Sequence, residues 1–160
     1  MNLDETLWED YEIMFPISGL NKMWSDYEEW KVLFEKSFPY LRDWVIIVAH
    51  SLWWTFISKY LNENIFPVKI VKVLLVSPAF KDDTKELLWS FNFDKKLLKF
   101  KELSDKITLY YSLDDEIVSP WDFENFREVL WEISIREFND RGHFLWEHFP
   151  EIIEDIKNIK

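Results

Sequence analysis

The segment that most constrains this chain is VIIVAHSL, residues 45–52, in which a run of β-branched apolar residues ends abruptly in His50 and Ser51. An amphipathic pattern typical of a helix follows it. A buried strand that turns sharply into a helix lifts a serine hydroxyl above the edge of the sheet and places the helix N-terminus beneath it. Taken alone, a serine in this position is more often a helix N-cap. The segment therefore nominates Ser51 as a nucleophile, provided that later residues supply a base and an acid.

Two later segments supply candidates for the base and the acid that a serine hydroxyl needs to become a nucleophile. The run ITLYYS predicts a strand that is followed by Asp114 and Asp115, and ISIREF predicts another that leads into the loop NDRGHF with His143. The order serine, aspartate, histidine is that of α/β-hydrolases, and open parallel sheets hold their ligands at the carboxyl ends of the strands. We therefore expect Ser51, His143 and one of the two aspartates to converge at one end of the sheet. Asp114, Asp115 and Glu116 could instead form an ordinary charged turn without a catalytic role. A metal site is a third and less favoured interpretation of these residues.

The chain alternates predicted strands and helices, which favours a parallel sheet with right-handed crossovers. The predicted strands are residues 11–15, 45–48, 70–76, 107–111 and 133–138. The predicted helices are residues 27–38, 52–61, 122–130 and 147–159. Residues 78–100 give no clear pattern, and we expect short helices over the site there. Phe80 and Phe144 are candidate residues of a substrate pocket, although aromatic side chains around residue 80 could merely pack as a lid.

Seven blocks of the sequence carry a family resemblance. They are YEIMFP, YEEWKVLFEK, VIIVAHSL, TFISKYLNEN, VLLVSPAF, LYYSLDDEIVSP and DRGHFLWEHFPEII. In order and spacing they resemble the small serine hydrolases related to retinoblastoma-binding protein nine, from about Tyr11 to the end of the chain. The resemblance implies an α/β-hydrolase-like three-layer αβα sandwich with a mainly parallel sheet. It also implies that Ser51 is the nucleophile, His143 the base and Asp115 the acid, with Asp114 as the fallback.

The chemistry implied by these residues is acyl transfer to water, with the backbone N–H of Leu52 helping to bind the oxyanion. A small carboxylic ester or amide is the expected substrate class, and no cofactor or metal is implied. His50 and His148 are expected to be structural and superficial respectively. The competing class is a catalytically inactive protein of the same fold that acts as a binding module.

The chain departs from the family pattern at two places. The motif G-x-S-x-G calls for small residues two before and two after the serine, because strand and helix backbones nearly touch there. Ala49 meets this need, but Trp53 and Trp54 stand where small residues are usual. We expect the indole of Trp53 to collide with the neighbouring strand or to block the approach to Ser51. Relatives also begin with a strand and a glycine-rich loop that supplies half of the oxyanion hole, and this first strand is predicted to be missing here.

Glycine and tryptophan occur in unusual numbers, with 2 Gly and 10 Trp in 160 residues, whereas an average domain has about 7% Gly. Most of the tryptophans lie in turn-like segments or at helix ends where a glycine would suit the backbone. We hypothesise that all but Trp30 are UGA codons, which some bacterial codes read as glycine; UGG codons at Trp53 and Trp54 would exclude this. Trp30 is then expected to be well buried, several of the others should have positive φ, and five should be mostly more exposed: Trp8, Trp44, Trp121, Trp131 and Trp146. The alternative is genuine aromatic enrichment on a binding surface.

Composition and charge exclude several kinds of site and partner. A chain of 160 residues without repeats or Pro/Gly/Ser linkers predicts a single domain over residues 1–160. The absence of Cys excludes disulfides, zinc–thiolate sites and a cysteine nucleophile. A formal net charge of -11 argues against a nucleic-acid partner, which would require clustered Lys and Arg. With no signal-peptide pattern and no apolar run long enough for a membrane span, we expect a cytoplasmic location and no membrane partner. The oligomeric state is left open.

Overall fold

The fold is a parallel sheet with helices on both faces, as seen in a computed structural model that describes residues 7, 9–15, 26–78, 89–91, 97–145 and 149–159. The strands are β1 (Val45–His50), β2 (Ile70–Val76), β3 (Ile107–Ser112) and β4 (Ser134–Phe138), which pair in parallel in the order β1-β2-β3-β4. The helices are α1 (Tyr27–Glu35), α2 (Leu52–Glu63), α3 (Leu98–Lys101), α4 (Pro120–Val129) and α5 (Pro150–Lys157). Short 3-10 helices lie at Phe38–Tyr40, Trp89–Phe91 and Ser104–Lys106. The predicted α/β-hydrolase-like class is confirmed.

The middle of the sheet is buried on both faces, which is why its strands are continuous apolar runs rather than alternating ones. In β2, Val73 and Leu75 join a core cluster shared with α1, α2 and α4, whereas Leu74 and Val76 join a second cluster shared with α5. Successive side chains of a strand point to opposite faces, so this division follows from the period of two. The result is three layers: helices, sheet and helices.

Apart from residues 11–15, the predicted strands and helices agree with the structure to within a few residues. The β2 range of 70–76 is the same in both, and α2 runs two residues further than predicted, to Glu63. The helix α1, predicted to reach residue 38, ends at Glu35. Pro39 explains the early end, because it has no N–H to donate to the carbonyl of Glu35 and so cannot continue the hydrogen-bond pattern of the α-helix. In the part of the chain that the structure describes, no helix is both long enough and apolar enough to cross a membrane.

The strand predicted at residues 11–15 is wrong. These residues carry no strand assignment and lie outside the four-stranded sheet. Tyr11 and Ile13 instead pack against the second core cluster, and the Tyr11 hydroxyl donates to the carbonyl of Ile156 at 3.1 Å. A strand needs a hydrogen-bonded neighbour, and no strand among the described residues pairs with this segment. The alternating apolar residues of this segment therefore pack on the core without forming the hydrogen bonds of a strand.

Two of the tryptophans expected at glycine positions are exposed. Trp44 and Trp131 are each 69% exposed, whereas Trp30 is 3% exposed, so these three expectations are confirmed. Trp44 also has φ of 78° and is, among the described residues, the one tryptophan with positive φ. After α4 the left-handed residue is Glu132, with φ of 67°, one position later than the predicted glycine site at Trp131. The other expected positions, Trp8, Trp121 and Trp146, lie outside the residues or side chains that the structure describes.

The two tryptophans after Ser51 do not crowd the turn. Trp53 is half-buried and stacks on Trp30, with 4.1 Å between ring centroids. Trp54 is fully buried and packs edge-on against Phe126 at 4.3 Å. The expected collision of Trp53 with the neighbouring strand is therefore wrong, because both indoles pack on side chains of the helix layer. The alternative, that Trp53 blocks the approach to Ser51, stays a prediction.

Candidate active site

Ser51 occupies the sharp turn between β1 and α2. Its backbone angles are φ 53° and ψ -125°, a conformation that a residue with a Cβ rarely adopts. Its N–H donates to the carbonyl of Val76 at the end of β2, at 3.0 Å, and Trp54 N–H donates to its carbonyl at 3.1 Å. Ala49, two residues before, is 1% exposed and provides the small side chain expected at this position. The strained turn is held by the sheet and by the helix, and the serine itself stays partly exposed.

His143 lies in the loop after β4 and contacts Ser51 directly. Its Nε2 is 3.0 Å from Ser51 Oγ, and its Nδ1 is 2.9 Å and 3.1 Å from the two carboxylate oxygens of Asp115. An ionised carboxylate can only accept hydrogen bonds. Nδ1 therefore carries the proton, and the lone pair of Nε2 faces the serine hydroxyl. The structure brings together all three residues that the sequence nominated, and of the two candidate acids it is Asp115 that contacts His143.

Asp115 is a buried carboxylate with four donors. Besides His143, it accepts from the hydroxyl of Ser77 at 2.6 Å and from the backbone N–H groups of Ile117 and Val118, each at 2.9 Å. Burial on its own raises the pKa of the Asp115 carboxyl. The four hydrogen bonds favour the charged form and outweigh burial, so the pKa falls to about 2. Asp115 thus keeps a full negative charge beside the imidazole at neutral pH.

Ser77 is the residue of this site that sequence reasoning missed. It follows β2, is 1% exposed and has φ of 43°. Its N–H donates to the carbonyl of Tyr110 at 2.9 Å, which directs its hydroxyl at Asp115. A signal was present, because Ser77 follows an apolar strand just as Ser51 does. Since β2 lies between β1 and β3, its carboxyl end had to lie between the nucleophile and the acid.

Asp114, the alternative acid, holds the histidine loop instead. Its Oδ1 accepts from the Ser112 hydroxyl and from the N–H of Gly142, the latter at 2.9 Å. These two hydrogen bonds, the Ser112 bond first, lower the pKa of Asp114. Gly142 has φ of 52°, a left-handed conformation that glycine adopts without strain. Arg141 N–H donates to Ser112 Oγ at 3.1 Å, so the loop is tied twice to the end of β3.

His50 makes a second contact with the histidine loop. Its Nε2 is 2.8 Å from the carbonyl oxygen of His143, and the two rings lie 4.9 Å apart between centroids. A carbonyl only accepts, so Nε2 of His50 carries the hydrogen. Burial is the largest effect and lowers the pKa of His50 below its usual value, whereas the hydrogen bond to the His143 carbonyl acts in the opposite direction. His148, the other histidine considered, lies outside the described residues.

The other residues nominated from the sequence are Leu52, Phe144 and Phe80. Leu52 is the first residue of α2 and is half-buried. Phe144 is 5% exposed and belongs to the second core cluster, with its ring against Phe138 and Phe149. Phe80 lies outside the described residues. Within the ranges that the structure describes, no group of three or more His, Cys, Asp or Glu side chains could hold a metal ion.

Similar solved structures share this fold at low sequence identity. The ydeN gene product from B. subtilis is 20% identical, with a TM-score of 0.76 over 98% of this chain and 87% of that chain. A monoacylglycerol lipase from Paleococcus ferrophilus is 15% identical, with a TM-score of 0.58 over 85% of this chain and 75% of that chain. The esterase domain of a Rhodothermus marinus protein is 14% identical, with a TM-score of 0.55 over 80% of this chain and 62% of that chain.

Sequence comparison identifies the family. No curated protein is similar enough in sequence to match the chain. The model of the serine hydrolase family, by contrast, matches residues 16–153, which is most of its length. The finer resemblance to relatives of retinoblastoma-binding protein nine, and the missing first strand, stay predictions. With a serine on the turn after β1 and a histidine 3.0 Å from it, this chain belongs to the serine hydrolase family.

Proposed function

We propose that the protein hydrolyses acyl bonds through a triad of Ser51, His143 and Asp115. The observation that carries the proposal is the unbroken hydrogen-bonded path from Ser51 Oγ through His143 to Asp115, with heavy-atom distances of 3.0 Å and 2.9 Å. These lie within the reach expected of a nucleophile, its base and the group that orients the base. The strained turn at Ser51 supports the same role, since backbone strain concentrates at functional sites.

In this mechanism His143 Nε2 takes the proton of Ser51 Oγ as the oxygen attacks the carbonyl carbon of the substrate. Asp115 keeps the imidazole in the correct tautomer and stabilises the imidazolium. The N–H of Leu52, at the start of α2, binds the developing oxyanion. His143 then donates its proton to the leaving group, and a water activated in the same way releases the acid.

The substrate class that this chemistry fits is a small carboxylic ester or amide. Similarity in fold to an esterase domain and a monoacylglycerol lipase favours the ester. A cytoplasmic location, a single domain over residues 1–160 and independence from nucleic acid and membrane stay part of the proposal.

The alternative function is a catalytically inactive binding module. The observation in its favour is that Trp44 and Trp131 each expose 69% of their surface, since exposed aromatic side chains are enriched at protein interfaces.

A fluorophosphonate probe separates the two functions, because it reacts covalently with activated serines. We expect the wild-type protein and the control Ser134→Ala, an exposed serine on β4, to be labelled equally. Ser51→Ala should not be labelled, and His143→Ala should react at least about a thousandfold more slowly. A folded wild-type protein that the probe does not label would reject the hydrolase and favour the binding module.

A further inference from the structure

The site contains a histidine to which the proposed mechanism gives no role. His50 precedes the nucleophile, yet its ring does not approach Ser51 Oγ in any contact described above; it donates from Nε2 to the backbone carbonyl of His143 at 2.8 Å. This bond joins two residues that are 93 positions apart in the chain. The question is what the bond does for the reaction.

The strand order places Ser51 and the loop of His143 at opposite edges of the described sheet. In the described sheet β1 and β4 are the outer strands, with β2 and β3 between them. Neighbouring strands lie about 4.8 Å apart, so three spacings separate the two by roughly 14 Å. The loop that leaves β4 at Phe138 has to carry His143 over the ends of both middle strands to reach Ser51. A loop that crosses the sheet in this way needs a contact near Ser51 that holds it in place.

The other hydrogen bonds that hold this loop come from residues at the end of β3, the strand next to β4. Asp114 holds the N–H of Gly142, and Ser112 holds the N–H of Arg141, both from the end of β3. The contact of Asp115 with Nδ1 holds the ring itself from the same side. His50 acts from β1, the strand that ends in the nucleophile. It therefore fixes the backbone of the base relative to the backbone of the serine.

From this arrangement we infer that His50 is a positioning residue, whose Nε2–H holds the carbonyl of His143 and so keeps the imidazole within hydrogen-bond distance of Ser51 Oγ. The inference rests on the proposed function, because it assigns a role within that triad. The bond does not require a charge on His50, since Nε2 carries hydrogen in the neutral ring that burial favours as well as in the protonated ring. Any side chain that presents an N–H at the same reach should replace it.

Two substitutions separate positioning from a merely structural role. His50→Gln keeps an N–H donor at nearly the same distance from the backbone, and His50→Leu keeps apolar volume but removes the donor. We expect the second-order rate of fluorophosphonate labelling to fall about 10–100-fold in the Leu variant, since a displacement of about 1 Å of a reacting group costs that much. The Gln variant should recover to within about threefold of the wild-type rate. For an ester substrate, kcat should fall in the Leu variant while KM changes little, because substrate contacts are retained.

Urea unfolding of both variants first establishes that they are folded. Labelling of the Leu variant at the wild-type rate would overturn the inference, as would a folded Gln variant no faster than the Leu variant. If the wild-type protein is not labelled at all, the proposed function fails, and crystal structures of the two variants then decide the inference separately. A His143 ring that keeps its distance to Ser51 Oγ in the Leu variant overturns it, and a ring displaced in the Leu variant but not in the Gln variant supports it.

Discussion

At the scale of single residues, Ser77 shows how the charge on Asp115 is maintained. The hydroxyl donates to Oδ2 of Asp115 at 2.6 Å, and Ser77 is 1% exposed. Its φ of 43° is unfavourable for any residue with a Cβ, by roughly 1–2 kcal/mol. The strain is tolerated because the bond to a buried charge is worth more, about 1.5–3 kcal/mol.

Removing that hydroxyl gives the first prediction at this scale. Ser77→Ala leaves one carboxylate oxygen of Asp115 without its hydroxyl donor. We expect the free energy of unfolding to fall by about 2 kcal/mol, measured by urea denaturation. The pKa of Asp115 should rise from about 2, because one of the bonds that favour its charged form is lost; carboxyl NMR titration measures it.

The matched control is Ser77→Gly, which also lacks the hydroxyl but accepts positive φ without strain. It should raise the pKa of Asp115 as much as the Ala variant does while losing roughly 1 kcal/mol less stability. An unchanged Asp115 pKa in both variants would show that the Ser77 bond does not contribute to its charge.

The sequence predicts some of these residue contacts and not others. Ser51, Asp115 and His143 were identifiable because each follows a predicted strand, and parallel strands bring their carboxyl ends to one edge. The residue pattern left the choice between Asp114 and Asp115 open, and only the family resemblance favoured Asp115, since adjacent residues in a turn point in different directions that depend on backbone angles. The partner of His50 is likewise set by the path of a loop, for which the sequence carries no periodicity.

At the scale of elements, the entry into β1 has the backbone of a glycine-containing turn. The N–H groups of Trp44 and Val45 both donate to the carbonyl of Lys69, at 2.9 Å and 3.0 Å. The Asp43 carboxylate accepts from Lys69 N–H at 2.9 Å. Pairing with β2 shifts register between Val45 and Ile46. An Asp followed by a residue with positive φ therefore starts the strand, with a backbone that suits glycine although Trp stands there.

Replacing this tryptophan should stabilise the protein. In Trp44→Gly the strain of φ 78° disappears, which offsets the loss of an exposed contact in which Lys69 Nζ lies 5.0 Å from the Trp44 ring. We expect the free energy of unfolding to rise by about 0.5–1 kcal/mol. Urea denaturation of the two proteins measures the difference.

Trp131→Gly is the control for that substitution. Trp131 is equally exposed, at 69%, and has a similar lysine contact at 5.9 Å, but its φ is not positive. Glycine there should lower the free energy of unfolding by about 0.5–1 kcal/mol through backbone entropy. Equal effects of the two substitutions would show that backbone strain at Trp44 does not limit stability.

Elements were easier to predict than their ends. The apolar runs of β2 and β3 extend across the sheet interior, and burial on both faces leaves little freedom in where they lie. Residues 11–15 have the same apolar character but form no strand, because strand formation depends on a neighbour elsewhere in the chain. Local pattern therefore predicts which segments are apolar and extended, and tertiary structure decides which of them pair.

At the scale of the whole molecule, the strand order β1-β2-β3-β4 brings four side chains together at one edge. Ser51, Ser77 and Asp115 follow β1, β2 and β3, and His143 comes from the loop after β4. Each strand thus contributes to a single network of hydrogen bonds. The free energy of this network is consequently part of the free energy of folding, and titration of one member should affect the stability of the whole protein.

Asp115 makes that coupling measurable as a dependence of stability on pH. Its folded pKa of about 2 lies below the usual 3.8 of an aspartate. A depressed folded pKa contributes stability that is fully present above about pH 4 and is lost as the pH falls toward 2. The stability advantage of the wild-type protein over Asp115→Asn should therefore shrink by on the order of 2 kcal/mol between pH 5 and pH 2, in roughly that window. The general effect of protonating other carboxylates, in a chain of formal net charge -11, is shared by both proteins and cancels in the difference.

Asp114→Asn serves as the control, because Asp114 is exposed and should show a smaller change of the same sign. An Asp115→Asn difference that stays constant from pH 5 to pH 2 would mean that the hydrogen bonds to Asp115 do not stabilise its charge.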